Sequence, residues 1–296
     1  MKHKRKSFKK TKSYFFKFIK KRAFLNKLIN VFYFTFKRFV KNKLSLRAPA
    51  LTYFTLMSIV PIFAIFFGIG TFFGLRSFLE TELIERFESQ KELIEELITF
   101  TNNFIMQTKG GIVAIIGALF LFYSLLKLFS NIENTLNLIW KAKKRKIKNR
   151  FSLYVSVIFL IPLFIVLFSS IKVYLLKIVS NIQVTTFHEN IAVFFLKLST
   201  YVLIWALFAF LFIYIPNTKV KLRFAMLSAL FTSIVYQIVQ YYYVYFQVGF
   251  TKYNAIYGSF AALPLFLIWL QISWYIFLYG ATFCSVYQKI NIKNKK

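Results

Sequence analysis

The sequence predicts an all-α membrane protein, a polytopic bundle of about six transmembrane helices with the N and C termini on the cytoplasmic side. The composition is the first indication, because 58% of the 296 residues are hydrophobic, including 40 Phe and 18 Tyr. That share exceeds what the core of a soluble domain holds. The second indication is a set of six long apolar stretches, and the third is the uneven distribution of charge between alternate loops.

The six apolar stretches are each long enough to cross a hydrocarbon layer about 30 Å thick, which takes roughly 20 residues of helix. They cover residues 50–75, 110–130, 151–171, 191–215, 224–246 and 259–285. None shows the strict alternation of a membrane β-strand, so helices are predicted throughout. Pro61 and the glycines that follow it predict a kink and close packing in the first span.

Basic residues are concentrated in four segments that alternate with acidic loops. Residues 1–47 hold 17 of the 40 Lys and Arg, residues 141–150 hold 7, residues 219–223 hold 3 and residues 289–296 hold 4. Asp is absent, and eight of the nine Glu fall in the other loops. Because loops rich in Lys and Arg stay on the cytoplasmic side, both termini and the two basic loops are predicted to be cytoplasmic.

Three regions are predicted along the chain: a basic amphipathic segment at residues 1–47, the membrane domain at 48–286 and a basic tail at 287–296. The first is expected to lie on the cytoplasmic membrane face, the alternative being a solvated tail. Its lysines would bind anionic headgroups, so membrane lipids and not nucleic acid are the expected partners, despite a net charge of +31. Residues 76–108, with seven Glu, predict one or two amphipathic helices outside the membrane.

Catalytic and metal-binding motifs are missing from the sequence. It contains His3, His188, a single Cys284 and no Asp, and no H-x-x-x-H, C-x-x-C, P-loop or G-x-G-x-x-G pattern occurs. Hydrolases, nucleases and metalloenzymes need such clusters. We therefore expect no enzymatic activity, no cofactor and no metal ion, and we expect Cys284 to pack as a small apolar side chain.

Neutral polar side chains inside the spans are the candidate functional residues. They have two interpretations: hydrogen bonding between helices, or the lining of a cavity for an amphipathic substrate. On the second interpretation they turn inward, toward a cleft between the fifth, sixth and Pro61-bent first spans. Glu133 is the only acidic residue on the predicted cytoplasmic side, and it is expected to pair with a Lys or Arg. The candidate cavity-lining residues are Tyr53, Glu133, Tyr236, Gln237, Gln240, Tyr253, Asn254 and Gln271.

Four stretches carry a resemblance to a known family. They are Arg47-Ala-Pro-Ala-Leu-Thr-Tyr-Phe-Thr-Leu-Met-Ser-Ile-Val-Pro61, Asn137-Leu-Ile-Trp140, the loop at 215–223, and Tyr253-Asn-Ala-Ile-Tyr-Gly-Ser-Phe-Ala-Ala-Leu-Pro264 with its continuation through Trp269 and Trp274 to Gly280-Ala281. On these residues the chain, from about 20 to 285, resembles the YihY/BrkB family of bacterial inner-membrane proteins. It departs from the family at Thr282, where a Glu is frequent, and at Ser228-Ala229, where Gly-Ala is frequent.

The resemblance implies six membrane helices and a role in the bacterial cell envelope, in the cytoplasmic membrane. Members have been linked to serum resistance and to lipid or lipopolysaccharide export, and the family has carried the label ribonuclease BN. The leading hypothesis is lipid-linked transport, flippase-like and without ATP hydrolysis of its own. The alternative is a non-transporting scaffold that organises envelope machinery through the glutamate-rich helices. A ribonuclease is the third hypothesis, which the missing catalytic motifs disfavour.

Overall fold

The computed structural model describes residues 29–86, 91–107, 111–181, 186–251 and 262–293, and within these ranges it is helical with no strand. The predicted all-α fold is therefore confirmed. A short 3-10 turn, Leu44–Leu46, joins the first two helices. The helices are α1 (helical residues 29–41), α2 (Arg47–Met57), α3 (Ile59–Phe72), α4 (Arg76–Arg86), α5 (Lys91–Gln107), α6 (Gly111–Trp140), α7 (Ile147–Asn181), α8 (Thr186–Tyr214), α9 (Leu222–Thr251) and α10 (Ala262–Lys293).

Three helices within the described ranges are long and apolar enough to cross a membrane: Ile147–Phe168 in α7, Leu222–Phe246 in α9 and Leu263–Ile292 in α10. The bent pair Leu44–Met57 and Ile59–Phe72 makes a fourth if it is one span. Large apolar side chains cover the outside of the bundle, as Leu119 of α6 shows with 65% exposure. Such a surface is suited to lipid. The count of six spans and the side of the termini stay predictions.

The kink predicted at Pro61 is confirmed, because α2 and α3 meet at an angle of 55°. Proline has no backbone N–H, so Pro61 cannot donate to the carbonyl of Met57, four residues earlier. The hydroxyl of Ser124 on α6 lies 3.1 Å from that carbonyl and 2.7 Å from the Leu121 carbonyl of its own helix. The single hydroxyl proton is shared between these two carbonyls, so α6 compensates part of the backbone bond that the proline removes.

Two helices end in backbone turns with a left-handed residue. After α3, Gly74 has φ 67°, and the N–H of Leu75 donates to the Gly70 carbonyl at 2.8 Å. After α6, Lys141 has φ 56°, and the N–H of Ala142 donates to the Asn137 carbonyl at 2.8 Å. These bonds satisfy the last carbonyls of each helix and turn the chain sharply. The second turn starts the basic loop that leads to α7.

The main hydrophobic core lies between α2, α6, α7, α8, α9 and α10. We call this end of the bundle, with the loops 141–146 and 215–221, the basic end. Small residues bring α9 and α10 together there: Ala229, Thr232 and Ala281 are buried, and a Cβ built on Gly280 would lie 2.9 Å from the Cβ of Thr232. Contact this close requires glycine at residue 280.

A second, smaller core joins α4 and α5 to α3 and α7 at the opposite end, which we call the glutamate end. Its buried members include Phe67 of α3, Leu79 of α4, Ile94 of α5 and Val166 of α7. The apolar faces of the two glutamate-rich helices are therefore largely covered by the protein itself, while Phe100 of α5 is 57% exposed. Arg76 supports this arrangement, since its guanidinium donates to Glu80 at 3.0 Å and also to Asn102.

Candidate functional site

A groove of about 800 Å³ runs between α8 and α9 on the outside of the bundle. Its walls are mostly Leu, Ile and Val side chains, and it is open to the surroundings of the bundle. The polar and aromatic residues that line it are Tyr201, Trp205, Ser233, Gln237, Tyr241 and Tyr242. Because its walls are as apolar as the outer surface of the bundle, the groove is suited to lipid.

Trp205 holds the two walls of the groove together. Its indole N–H donates to the backbone carbonyl of Met226 on α9 at 2.9 Å. Since α8 and α9 are joined by the short loop 215–221, they form an antiparallel pair, and this bond fixes their register. The groove is therefore part of the packed structure of the two helices.

Polar residues form a stripe along the α9 wall. Ser233, Gln237 and Tyr241 follow one another at intervals of four residues, which places them on one face of a helix and spans about 12 Å along its axis. The Ser233 hydroxyl donates to the Leu230 carbonyl at 2.9 Å. The amide nitrogen of Gln237 is buried and has no hydrogen-bond partner among the described residues.

The other predicted residues of α9 and α10 are placed differently. Tyr236 packs in the core with its ring edge-on to Phe208, and it also contacts Trp269. The amide nitrogen of Gln271 donates to the Tyr275 hydroxyl at 2.9 Å, four residues along the same helix. Gln240 carries a buried amide oxygen without a hydrogen-bond partner in the described ranges.

Tyr53 does not turn inward as expected, because 54% of it is exposed. It lies in α2 beside the buried Thr52, and its ring contacts Phe54 edge-on. A tyrosine with an apolar ring and a polar hydroxyl is stable at a membrane surface, which removes any need for it to enter the bundle. Tyr253 and Asn254 lie outside the described residues, so the cleft predicted between the fifth, sixth and first spans stays a prediction.

Glu133 lies away from the groove, at the basic end, and its predicted pairing with a basic residue is confirmed. Its carboxylate is fully buried, with Arg145 at 3.3 Å and Arg150 at 3.1 Å. The side-chain amide of Asn137 donates to it at 3.2 Å, and the hydroxyl of Tyr154 donates to its other oxygen. We call these five residues the Glu133 cluster. They join α6 to the basic loop and to the start of α7.

The cluster also fastens the loop between α8 and α9. Arg145 donates to the carbonyls of Ile215 at 2.6 Å and Pro216 at 3.1 Å. The backbone N–H of Asn217 donates to the side-chain oxygen of Asn137 at 2.7 Å. A cation at the C-terminal end of a helix such as α8 is favourable because the helix dipole is negative there.

The pKa of Glu133, which lies beyond the predicted second span, is lower than that of an ordinary carboxyl group. Burial alone would raise this pKa, since it removes water from the charged form. The hydrogen bonds from Tyr154 and Arg150, together with the charges of Arg150 and Arg145, outweigh that effect. Glu133 is therefore ionised at neutral pH and acts as a structural anion.

No group of three or more His, Cys, Asp or Glu that could hold a metal ion occurs in the described part of the chain. Cys284 is buried in the main core, and Thr282, where the resembling family often has Glu, is also buried and bonds the Leu278 carbonyl of its own helix at 2.7 Å. These side chains are packing elements of α10.

Comparison with known proteins identifies the chain. The sequence model of the family described as Virulence factor BrkB matches residues 35–296. The chain belongs to this family. No solved structure matches it.

Curated relatives from several bacteria are named UPF0761 membrane proteins. One from Mannheimia succiniciproducens is 30% identical over 275 residues, which is 90% of this chain and 92% of the relative. One from Haemophilus influenzae is 30% identical and covers 86% of this chain and 93% of the relative. One from Actinobacillus pleuropneumoniae is 32% identical, with 84% and 88% covered. This member of the BrkB family is accordingly a multi-pass protein of the bacterial cytoplasmic membrane.

Two of the stretches that carry the BrkB resemblance meet in the Glu133 cluster. Asn137 comes from the stretch that follows the second predicted span, and Ile215, Pro216 and Asn217 come from the loop before the fifth. Sequence reasoning identified Glu133 but missed Tyr154 and Ser124. It also did not single out the stripe of Ser233, Gln237 and Tyr241, although their spacing of four was visible in the sequence.

Proposed function

We propose that this BrkB-family protein moves lipid across the cytoplasmic membrane, with the groove between α8 and α9 as the path. The observation that carries the proposal is Gln237, a residue of the groove wall whose buried amide nitrogen has no hydrogen-bond partner among the described residues. An unsatisfied amide in an apolar medium is unfavourable by about 1–3 kcal/mol. Gln240, whose amide oxygen is also buried without a described partner, does not line the groove, whereas Gln237 does, and there a passing headgroup offers hydrogen-bond acceptors.

The shape of the groove supports the same function. A lipid that changes leaflet must carry its polar headgroup through the hydrocarbon layer while its acyl chains stay in lipid. A groove with one polar stripe and otherwise apolar walls provides both environments side by side. The stripe of Ser233, Gln237 and Tyr241 would hydrogen-bond the headgroup, and residues such as Ile234 and Ile238 would contact the chains. The proposal needs no ATP hydrolysis and no catalytic residue.

The scaffold hypothesis depends on α4 and α5, the helices rich in glutamate. Their apolar faces are already buried against α3 and α7, with Leu79 and Ile94 each 2% exposed. Partners would have to bind the exposed Phe100 of α5 or the charged face, where Glu95 makes only an exposed pair with Lys91 at 3.7 Å. Lipid movement therefore accounts for more of the described features.

The test is lipid translocation in vesicles that contain the purified full-length protein and a fluorescent phospholipid, with a membrane-impermeant quencher outside. The variant Gln237→Leu should translocate roughly tenfold more slowly than the wild type, the effect of losing one hydrogen bond of about 1.4 kcal/mol to a charged headgroup. Gln240→Leu is the matched control, because it makes the same change on α9 at a residue that does not line the groove.

Two results would contradict the proposal. If wild-type vesicles quench no faster than vesicles without protein, the protein does not move this lipid, and the scaffold hypothesis is favoured. If Gln237→Leu and the wild type are equally fast, the groove between α8 and α9 is not the path. Equal slowing in Gln237→Leu and Gln240→Leu would point to general disturbance of α9.

A further inference from the structure

A second pocket, of about 240 Å³, lies between α6 and α7 near the basic end. The α6 wall consists of Tyr123, Leu126, Lys127 and Ser130, and the α7 wall consists of Ile147, Arg150, Phe151 and Tyr154. The pocket is separate from the groove between α8 and α9 and shares no lining residue with it. One part of its surface is cationic and another part is apolar, so an amphipathic anion fits its chemistry.

The cationic part holds more positive charge than the protein itself neutralises. Arg145 and Arg150 share the single carboxylate of Glu133. Lys127 lies 5.2 Å from the centre of the Tyr123 ring, and it makes no ion pair with any carboxylate in the described ranges. Three cations and one carboxylate leave two positive charges at this place.

Arg150 is held in place by four neighbouring side chains. Its Nε donates to Glu133 at 3.1 Å and to Tyr154 at 3.1 Å, and its Nη2 donates to Ser130 at 3.0 Å and to Asn134 at 3.3 Å. The remaining Nη1 takes part in none of these bonds. Arg150 also lies in the first turn of α7, where the N-terminal end of a helix favours a negative charge. The guanidinium is thus fixed before any ligand binds, which lowers the entropy lost on binding.

The apolar part decides between a lipid and a small anion. Phe151 and Ile147 line the pocket and are 54% and 84% exposed, and Leu126 continues the surface on α6. Free phosphate gains nothing from such residues. A phospholipid places a phosphate next to hydrocarbon, and Lys127, one turn from the end of the predicted second span, can reach the headgroup region with its long side chain.

We propose that this pocket binds an anionic phospholipid, with Lys127 and Arg150 contacting the phosphate and Phe151 contacting the adjoining hydrocarbon. The site is independent of the proposed translocation path. Bound there, the lipid would bridge α6 and α7 next to the Glu133 cluster and neutralise one of the two positive charges left at this place.

The test uses the purified full-length protein in neutral detergent and a fluorescent phosphatidylglycerol as the probe. Unlabelled phosphatidylglycerol should displace it, and phosphatidylcholine and inorganic phosphate should not at matched concentrations. Lys127→Gln should weaken phosphatidylglycerol binding roughly fivefold, the effect of about 1 kcal/mol per basic residue near the headgroups. Lys127→Arg should keep the affinity, because it keeps the charge.

Lys144→Gln is the matched control, since Lys144 is an exposed lysine of the basic loop that does not line the pocket. Equal weakening in Lys144→Gln and Lys127→Gln would show a diffuse basic surface and overturn the proposal. Displacement by inorganic phosphate at the concentrations that suffice for phosphatidylglycerol would make it a small-anion site. Equal displacement by phosphatidylcholine would show that the pocket binds lipid through its apolar part alone, which would also overturn the proposal. Because Lys127 is exposed, its substitution should not change the melting temperature, which checks that the variants are folded.

Discussion

At the basic end the buried carboxylate of Glu133 accepts hydrogen bonds from two arginines, a tyrosine and an asparagine, whereas in the groove the buried amide nitrogen of Gln237 has no described partner. Both are polar groups in a bundle surrounded by lipid, where an unsatisfied group is unfavourable. The first is the centre of a network that joins α6, α7 and two loops. The second contributes nothing to that kind of stability.

These two sites show that polar groups in this bundle divide between structure and function. Polar groups that hold helices together have partners within the protein: Glu133 in its cluster, Ser124 at the Pro61 kink and Trp205 between α8 and α9. Gln237 differs from these groups, because its buried amide nitrogen has no partner among the described residues and the residue lies in the wall of a groove that a ligand can enter. Removing a group of the first kind should lower stability, and removing Gln237 should lower function.

The largest expected effect is that of Glu133→Ala. Removing the carboxylate leaves Arg145 and Arg150 partly buried without their anion, and breaking such a pair lowers the free energy of unfolding by about 3–5 kcal/mol. The melting temperature in detergent should fall by many degrees. Glu95→Gln, which breaks an exposed pair of α5, should change stability by less than about 0.5 kcal/mol. Equal effects of the two variants would refute the structural role of the cluster.

Protonation of Glu133 at acidic pH should lower the stability by less than Glu133→Ala does, because a protonated Glu133 still accepts hydrogen bonds. Its folded-state pKa is lowered, so its contribution is fully present above the ordinary value of 4.5 and is lost as the pH falls through the lower folded value. The difference in melting temperature between the wild type and Glu133→Gln should be constant from about pH 5.5 to 8 and shrink below about pH 4. A difference that shrinks at neutral pH would contradict an ionised Glu133.

Substitution at the contact between α9 and α10 should also lower the free energy of unfolding. A methyl group added by Gly280→Ala would lie 2.7 Å from the Cγ2 of Thr232, so the two helices must move apart, and overpacking of this kind lowers stability by about 1–3 kcal/mol. The double variant with Thr232→Ala should recover part of the loss. Gly117→Ala is the control, since nothing described lies within 4 Å of an added Cβ there. An unchanged melting temperature in Gly280→Ala would mean that the helices are not this close.

A smaller loss is expected for Ser124→Ala, which removes the hydroxyl from the carbonyl that Pro61 leaves without an N–H. Single side-chain hydrogen bonds between membrane helices contribute about 0.6–1 kcal/mol. The melting temperature of Ser124→Ala, measured by thermal unfolding, should be lower than that of the wild type by a few degrees at most. Ser156→Ala, whose hydroxyl bonds only the Ser152 carbonyl of its own helix at 2.8 Å, should show less. A larger fall in melting temperature for Ser156→Ala than for Ser124→Ala would contradict the view that Ser124 of α6 stabilises the kink.

Local features of the fold were predictable from the sequence, and contacts between helices were not. A proline inside a helix predicts a kink, as at Pro61. A single acidic residue among basic loops predicts an ion pair, as at Glu133. The identity of the partners could not be predicted, because Arg145, Arg150 and Ser124 reach their partners only after α6, α7 and the bent helices have packed.

The candidate residues show the same limit of local reasoning. Gln237 and Tyr53 were selected by one signal, a polar side chain in an apolar run. Gln237 lines a groove, whereas Tyr53 is 54% exposed, because the neighbours of each helix decide which of its faces are covered. The groove between α8 and α9 depends on the pairing of those two helices, which hydrophobic periodicity does not specify when all faces are apolar.

The most direct test of this account is the melting temperature of Gln237→Leu, measured on the same preparation that is used for translocation. Replacing a buried amide that lacks a partner with an apolar side chain of similar size removes an unfavourable term, so the melting temperature should stay the same or rise. Translocation should nevertheless fall. A drop in melting temperature as large as that of Ser124→Ala would contradict the account, because Gln237 would then be a structural residue with a partner of its own.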